Sequence, residues 1–115
     1  MPHEIYTHIA QAIARFSGGI DAYLGCRETP DFDSRWVAAY ERVYNSQRND
    51  SEFISNEKSL RENVFKLVFS RTQNSDLAGY ISDDAGLIYA GQYLQIADDF
   101  IYQLYKQYKN AQLPK

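Results

Sequence analysis

The sequence is poor in the residues that carry much of enzyme and metal chemistry. Its single cysteine, Cys26, cannot form an internal disulfide, so nothing points to an oxidising compartment. The two histidines, His3 and His8, stand five apart. On a helix that spacing separates them by about 140°, whereas the H-E-x-x-H metal motif needs four residues to keep both on one face. No E-x-x-H pair of the di-iron bundles occurs, and no Asp or Glu pair has a histidine or a glycine-rich phosphate loop beside it. The longest run without Asp, Glu, Lys or Arg is thirteen residues, Ala85 to Ala97. A membrane-spanning helix needs about 20 apolar residues. The opening Met1-Pro2-His3-Glu4 lacks the basic start and apolar stretch of a signal peptide, so a soluble cytoplasmic protein is expected. Three prolines and six glycines exclude collagenous and low-complexity classes.

What remains is the composition of one compact domain, residues 1–115, with 44% hydrophobic residues to build a core and 23% charged residues. Ile5, Ile9, Ala12, Ile13 and Phe16 follow a 3.6-residue period and predict a helix stopped by Gly18-Gly19. Ile20 to Leu24 predicts a helical turn or two ending at Gly25. Thr29-Pro30-Asp31 predicts a capped helix start, followed by the stripe Trp36, Val37, Tyr40, Val43, Tyr44 as far as about Gln47. The polar residues Ser46 to Glu52 predict a loop. Ser59-Leu60-Arg61-Glu62 matches a capping box and predicts a central helix carrying Leu60, Val64, Phe65, Leu67, Val68 and Phe69. Asn74-Ser75-Asp76 starts the next element, and Ser82-Asp83-Asp84 is either an interruption of it or a cap for the last helix. Leu87, Ala90, Leu94, Ala97, Ile101, Leu104 and Tyr108 then alternate spacings of three and four. They predict one continuous helix from about Asp84 to Asn110, roughly 40 Å long. The expected fold is all-α, a bundle of four to five helices with that long C-terminal helix as its spine.

Charge is distributed unevenly. Twelve basic against fifteen acidic residues give −3, which argues against direct binding to nucleic acid. The thirty-four residues between Arg71 and Lys106 contain no basic side chain but carry Asp76, Asp83, Asp84, Asp98 and Asp99. They also hold half of the ten tyrosines. The pairs Asp31/Asp33, Asp83/Asp84 and Asp98/Asp99 invite an acid–base reading, but aspartates at helix starts are ordinary and adjacent residues diverge by about 100° on a helix, so pairing in sequence does not by itself make a shared-proton dyad. Cys26 beside Arg27 is the arrangement of an activated thiol, but packing is the commoner role of such a cysteine and no histidine lies near it in sequence. The more informative feature is a wide apolar arc edged with acid. Asp76, Tyr80, Asp83, Asp84, Tyr89, Tyr93, Asp98, Asp99 and Tyr102 are therefore the candidate partner-binding residues, tyrosines as anchors and aspartates for steering.

The helical Leu60 to Phe69 block, the Ser75-Asp76-Leu77-Ala78 to Ser82-Asp83-Asp84 block and the Tyr-rich acidic C-terminal helix together resemble small cytoplasmic immunity proteins of bacterial toxin systems, particularly contact-dependent growth inhibition. The resemblance spans roughly Arg35 to Tyr108. It implies a non-catalytic protein that binds one cognate toxin domain, often a basic nuclease, and blocks its active site or a needed partner surface; from the residues themselves neither cofactor nor metal is expected. Alternatives from the residues themselves are a homodimer or scaffold pairing through Leu94 and Ile101, and an acidic mimic of nucleic acid.

Overall fold

The computed structural model describes residues 3–46 and 50–115. Among them the regular structure is helical, in six segments: α1 (His3–Arg15), α2 (Ile20–Arg27), α3 (Pro30–Asn45), α4 (Ser51–Thr72), α5 (Ser75–Tyr93) and α6 (Asp99–Lys109). The all-α expectation holds, with more helices than the four to five predicted. No helix among the described residues is long and apolar enough to cross a membrane.

Local chemistry sets most of the boundaries. Asp50, Asn74 and Asp98 each accept a backbone N–H from the first turn of α4, α5 and α6, and Thr29 does the same for α3 behind Pro30. The predicted starts at Thr29 and Asn74 stand. The predicted start at Ser59 does not: α4 begins eight residues earlier, under the Asp50 cap, and Ser59 lies inside the helix. The loop expected over Ser46 to Glu52 is correspondingly shorter, and its residues 47–49 lie outside those described. Nor does Ser82-Asp83-Asp84 interrupt anything, since α5 runs straight through it.

The predicted spine is two helices. At the end of α5, Gln95 adopts the left-handed conformation with φ 55°. Ile96 N–H donates to Gly91 O at 2.9 Å and Gln95 N–H to Gln92 O at 3.2 Å, the paired bonds of a Schellman stop. Asp98 then accepts from Ile101 N–H at 2.9 Å and α6 begins. Leu87, Ala90, Ile101, Leu104 and Tyr108 stay buried on either side of the bend, while Ala97 is exposed within it. The seam is thus consumed inside the chain. Ile101 packs against Gly91, where a Cβ would lie 3.2 Å from its Cγ2, and it is not free to pair with a second copy.

The core centres on α5 rather than on the Leu60 to Phe69 segment. Helix α5 buries residues all round, from Leu77 to Gly91. Its most extensive packing is against α4, to which a two-residue turn joins it as an antiparallel hairpin. Phe53, Leu60, Val64 and Val68 form the inner stripe of α4, and Ile5, Ile9, Ala12 and Ile13 that of α1. Each such Val, Leu, Ile or Phe side chain withdrawn from water contributes about 1.5–3 kcal/mol. Helix α3 packs on α5 and α6. It leaves a cleft between itself and α4, the candidate site.

Candidate partner-binding groove

Helix α3 buries only Phe32, Ala39 and Val43. The rest of its apolar stripe lines a groove. Trp36, Tyr40 and Tyr44, four residues apart, stack ring on ring with centroids 5.7 and 6.0 Å apart. Tyr40 is 47% exposed and Tyr44 61% exposed. The opposite wall is Phe53, Glu57 and Arg61 of α4, and the floor is Asp83, Gly86, Leu87 and Ala90 of α5. The space enclosed is about 430 Å³. It reaches the floor because Gly86 has no side chain; a Cβ there would stand 2.8 Å from Arg61 Cδ.

Beyond Trp36 the groove continues into a smaller recess of about 200 Å³, between Arg27, Phe32, Asp33, Trp36, Val37, Tyr80 and Asp83. Trp36 and Asp83 belong to both parts. Arg61 spans the floor to Asp83 at 2.8 Å, and both side chains are nearly half exposed. Glu57 lies 3.9 Å from Arg61, yet burial pushes its carboxyl above the ordinary range against the pull of that cation. Burial, then the charges of Glu28, Asp76 and Asp33 against the opposing Arg27, likewise holds the Tyr80 hydroxyl above its usual value. Glu28, Asp33 and Asp76 are exposed and form no ion pair among the described residues.

Beneath the groove lies a buried polar network. Asp84, fully buried, accepts two bonds from Arg27 at 2.8 Å each, one from Trp36 Nε1–H at 2.9 Å and one from the Tyr108 hydroxyl at 2.5 Å. Arg27 is 4% exposed, and despite that burial the Asp84 carboxylate keeps its pKa above the ordinary arginine value. Arg27 also donates to Tyr23, whose hydroxyl donates to the Pro114 carbonyl at 2.6 Å. The guanidinium stacks over Phe32 and Tyr80, 4.7 and 5.2 Å from their ring centres. One carboxylate therefore joins α2, α3, α5 and α6, and through Trp36 it fixes the wall between the two parts of the groove.

The nine residues nominated from sequence separate into distinct places. Tyr80 and Asp83 line the smaller recess, and the charge of Asp76 acts on the Tyr80 hydroxyl from beside it. Asp84 is internal and structural, and Tyr89 is buried in a stack with Phe53. Tyr93 is 39% exposed and donates to Asp50, a bond that raises its hydroxyl to about 12. Asp98 caps α6 and pairs with Arg42, its side chain 4% exposed, so reversing its charge would disturb the fold before any association rate. Asp99 and Tyr102 are exposed on α6 and line neither part of the groove. Asp33, Trp36, Tyr40, Tyr44, Glu57 and Arg61, which line the groove, are not among the nine. For Trp36, Tyr40 and Tyr44 the trace was the width of the α3 stripe, broader than a helix resting on one neighbour requires; Asp33, Glu57 and Arg61 left none. Cys26 is exposed, and the cation beside it is committed to Asp84. No group of three or more His, Cys, Asp or Glu side chains that could hold a metal occurs among the described residues.

An open groove walled by stacked aromatics and edged with carboxylates is the form of a small helical protein-binding domain. The comparisons with known proteins name the kind. The chain belongs to the family of immunity protein PIM1, whose model matches residues 6–115. It is therefore a toxin-immunity protein, and its partner is a cognate toxin. Comparison with curated proteins yields no match.

Proposed function

We propose that the chain neutralises its toxin by stoichiometric binding, without catalysis, and that the groove between α3 and α4 is the face that binds. The observation that carries this reading is the ladder Trp36–Tyr40–Tyr44. Three aromatic rings are held in register, with Tyr40 and Tyr44 about half exposed or more, where the core has no use for them. Tyrosine and tryptophan give large contact area at low entropy cost, which is why they dominate binding hot spots. Glu28, Asp33, Glu57, Asp76 and Asp83 surround the groove against Arg61, since Arg27 is neutralised by Asp84. That balance favours a basic toxin domain, as a nuclease active face would be, and steers its approach. On this reading the acidic, tyrosine-rich face of the sequence survives in part, around Asp76, Tyr80 and Asp83. The contact-dependent delivery class and a cytoplasmic site of action are part of the same proposal.

The test is growth protection and affinity with the cognate toxin, obtained from the native host by co-purification. Tyr40→Ala combined with Tyr44→Ala should weaken binding by about thirtyfold or more, the scale of a hot-spot loss. Tyr102→Ala, which removes a tyrosine 64% exposed on α6, should bind as the parent does. The opposite ranking would move the interface to α6.

A further inference from the structure

The smaller recess has a chemistry distinct from the rest of the groove. Its walls are the rings of Phe32, Trp36 and Tyr80, with Val37 41% exposed at the mouth. Asp33 and Asp83 line it, and the charges of Glu28 and Asp76 converge with that of Asp33 on the Tyr80 hydroxyl. Arg61 already engages Asp83, but Glu28, Asp33 and Asp76 have no ion partner among the described residues. The one cation in the wall, Arg27, does not repel a second, because the buried Asp84 neutralises it through two bonds of 2.8 Å. Arg27 also shows what these rings accept, since its guanidinium carbon sits over both Phe32 and Tyr80, 4.7 and 5.2 Å from their ring centres.

We infer that this recess receives an arginine side chain of the bound toxin, its guanidinium between Trp36 and Tyr80 and bonded to Asp33, while the wider part under Tyr40 and Tyr44 takes the apolar residues beside it. The inference rests on the groove being the binding face, and it names what one end of that face reads. Arginine fits better than lysine because its planar, weakly hydrated cation stacks on aromatic faces and donates a fork of bonds to carboxylates. The wall is pre-organised for this role, since Asp84 holds the Trp36 indole at 2.9 Å from below and no rotamer has to be found on binding.

The experiment needs no toxin at first. Trp36 is the only tryptophan, so one indole N–H resonance reports on the recess. A capped Gly-Arg-Gly peptide is titrated into the full chain and followed by amide and indole NMR, beside the same peptide with citrulline, which keeps the shape and removes the charge. Saturable shifts centred on Trp36, Val37 and Tyr80 are expected for arginine. They should be about tenfold weaker in apparent affinity for citrulline, and for arginine on the Asp33→Asn/Asp76→Asn double variant. Absence of saturation, equal response to citrulline, or indifference to the double variant would each overturn the inference. With the toxin in hand the two claims separate. If Asp33→Asn/Asp76→Asn binds normally while Tyr40→Ala/Tyr44→Ala does not, the groove stands and the arginine recess falls. If both bind normally, the groove itself falls.

Discussion

Replacing Asp84 by asparagine tests the energetic centre of the molecule. The carboxylate serves four donor contacts, from Arg27 twice, Trp36 and Tyr108, and has no contact with solvent. Asparagine keeps one carbonyl oxygen and turns an amide N–H₂ toward groups that are themselves donors. It also leaves the Arg27 cation buried with no counter-charge. Stranding one member of a buried pair costs about 3–5 kcal/mol. Against a total stability of about 5–15 kcal/mol for a small domain, that is a large share. At about 4 °C per kcal/mol for a chain of this size, the midpoint of thermal unfolding should fall by about 12–20 °C. Urea unfolding followed by far-ultraviolet circular dichroism measures the loss, and Trp36 fluorescence reports whether the indole has lost its acceptor. Adding Arg27→Met removes the stranded cation, so the double variant should recover about 2 kcal/mol relative to Asp84→Asn alone. A loss below about 1 kcal/mol for Asp84→Asn, or a double variant no better than the single, would refute the reasoning.

The groove and its surroundings carry three further expectations. Glu57 has a folded-state pKa above the unfolded value, so its contribution to stability is present in acid and lost as pH rises through the folded value. Glu57→Gln should therefore stabilise the fold near neutral pH by less than about 1 kcal/mol, a gain that disappears in acid, while lowering affinity for a basic partner; a destabilised variant in urea at neutral pH would contradict this. Tyr23, raised to about 12 by burial, and Tyr108, raised well above the ordinary value by burial and by Asp84, titrate later in the fold than in the unfolded chain. Stability should hold below pH about 10 and decline above it toward 12, and a urea midpoint flat across that window would count against the buried network. Gly86→Ala places a Cβ against the Arg61 stem, which is about half exposed and able to swing aside. Thermal stability should be kept or gained, by up to about 1 kcal/mol of helix propensity, while toxin affinity drops as the floor fills; a variant with unaltered affinity would show that the floor is not contacted.

The sequence carried the helical class, the capped starts at Thr29 and Asn74, and the core stripe of α1, because each rests on a local rule. It did not carry the break at Leu94–Asp98. The three left-handed positions among the described residues are Gln73, Gln95 and Ala111, and no glycine has positive φ. Glycine punctuation was therefore silent at the stops of α4, α5 and α6, and the apolar spacing ran through the α5–α6 bend because both helices turn their stripes to the same core. Asp98 was visible as an acid but not as a cap, since nothing before it marked an end. Asp84 was read as a rim charge. Its true role depends on Arg27, fifty-seven positions away, and on a tryptophan and a tyrosine from two other helices, contacts that no periodicity encodes. The groove stayed hidden for a related reason: whether the α3 stripe meets a neighbour or water is decided by the distance at which α4 packs.

Hydroxyl-radical footprinting of the protein free and bound to its cognate toxin tests the central claim most directly, because the reagent oxidises exposed aromatic side chains. The account predicts that Tyr40 and Tyr44 become protected together with Trp36, while Tyr102, the most exposed tyrosine on α6, reacts at its free rate. Protection of Tyr102 with Tyr40 and Tyr44 still reactive would place the toxin on α6, outside the groove, and contradict it.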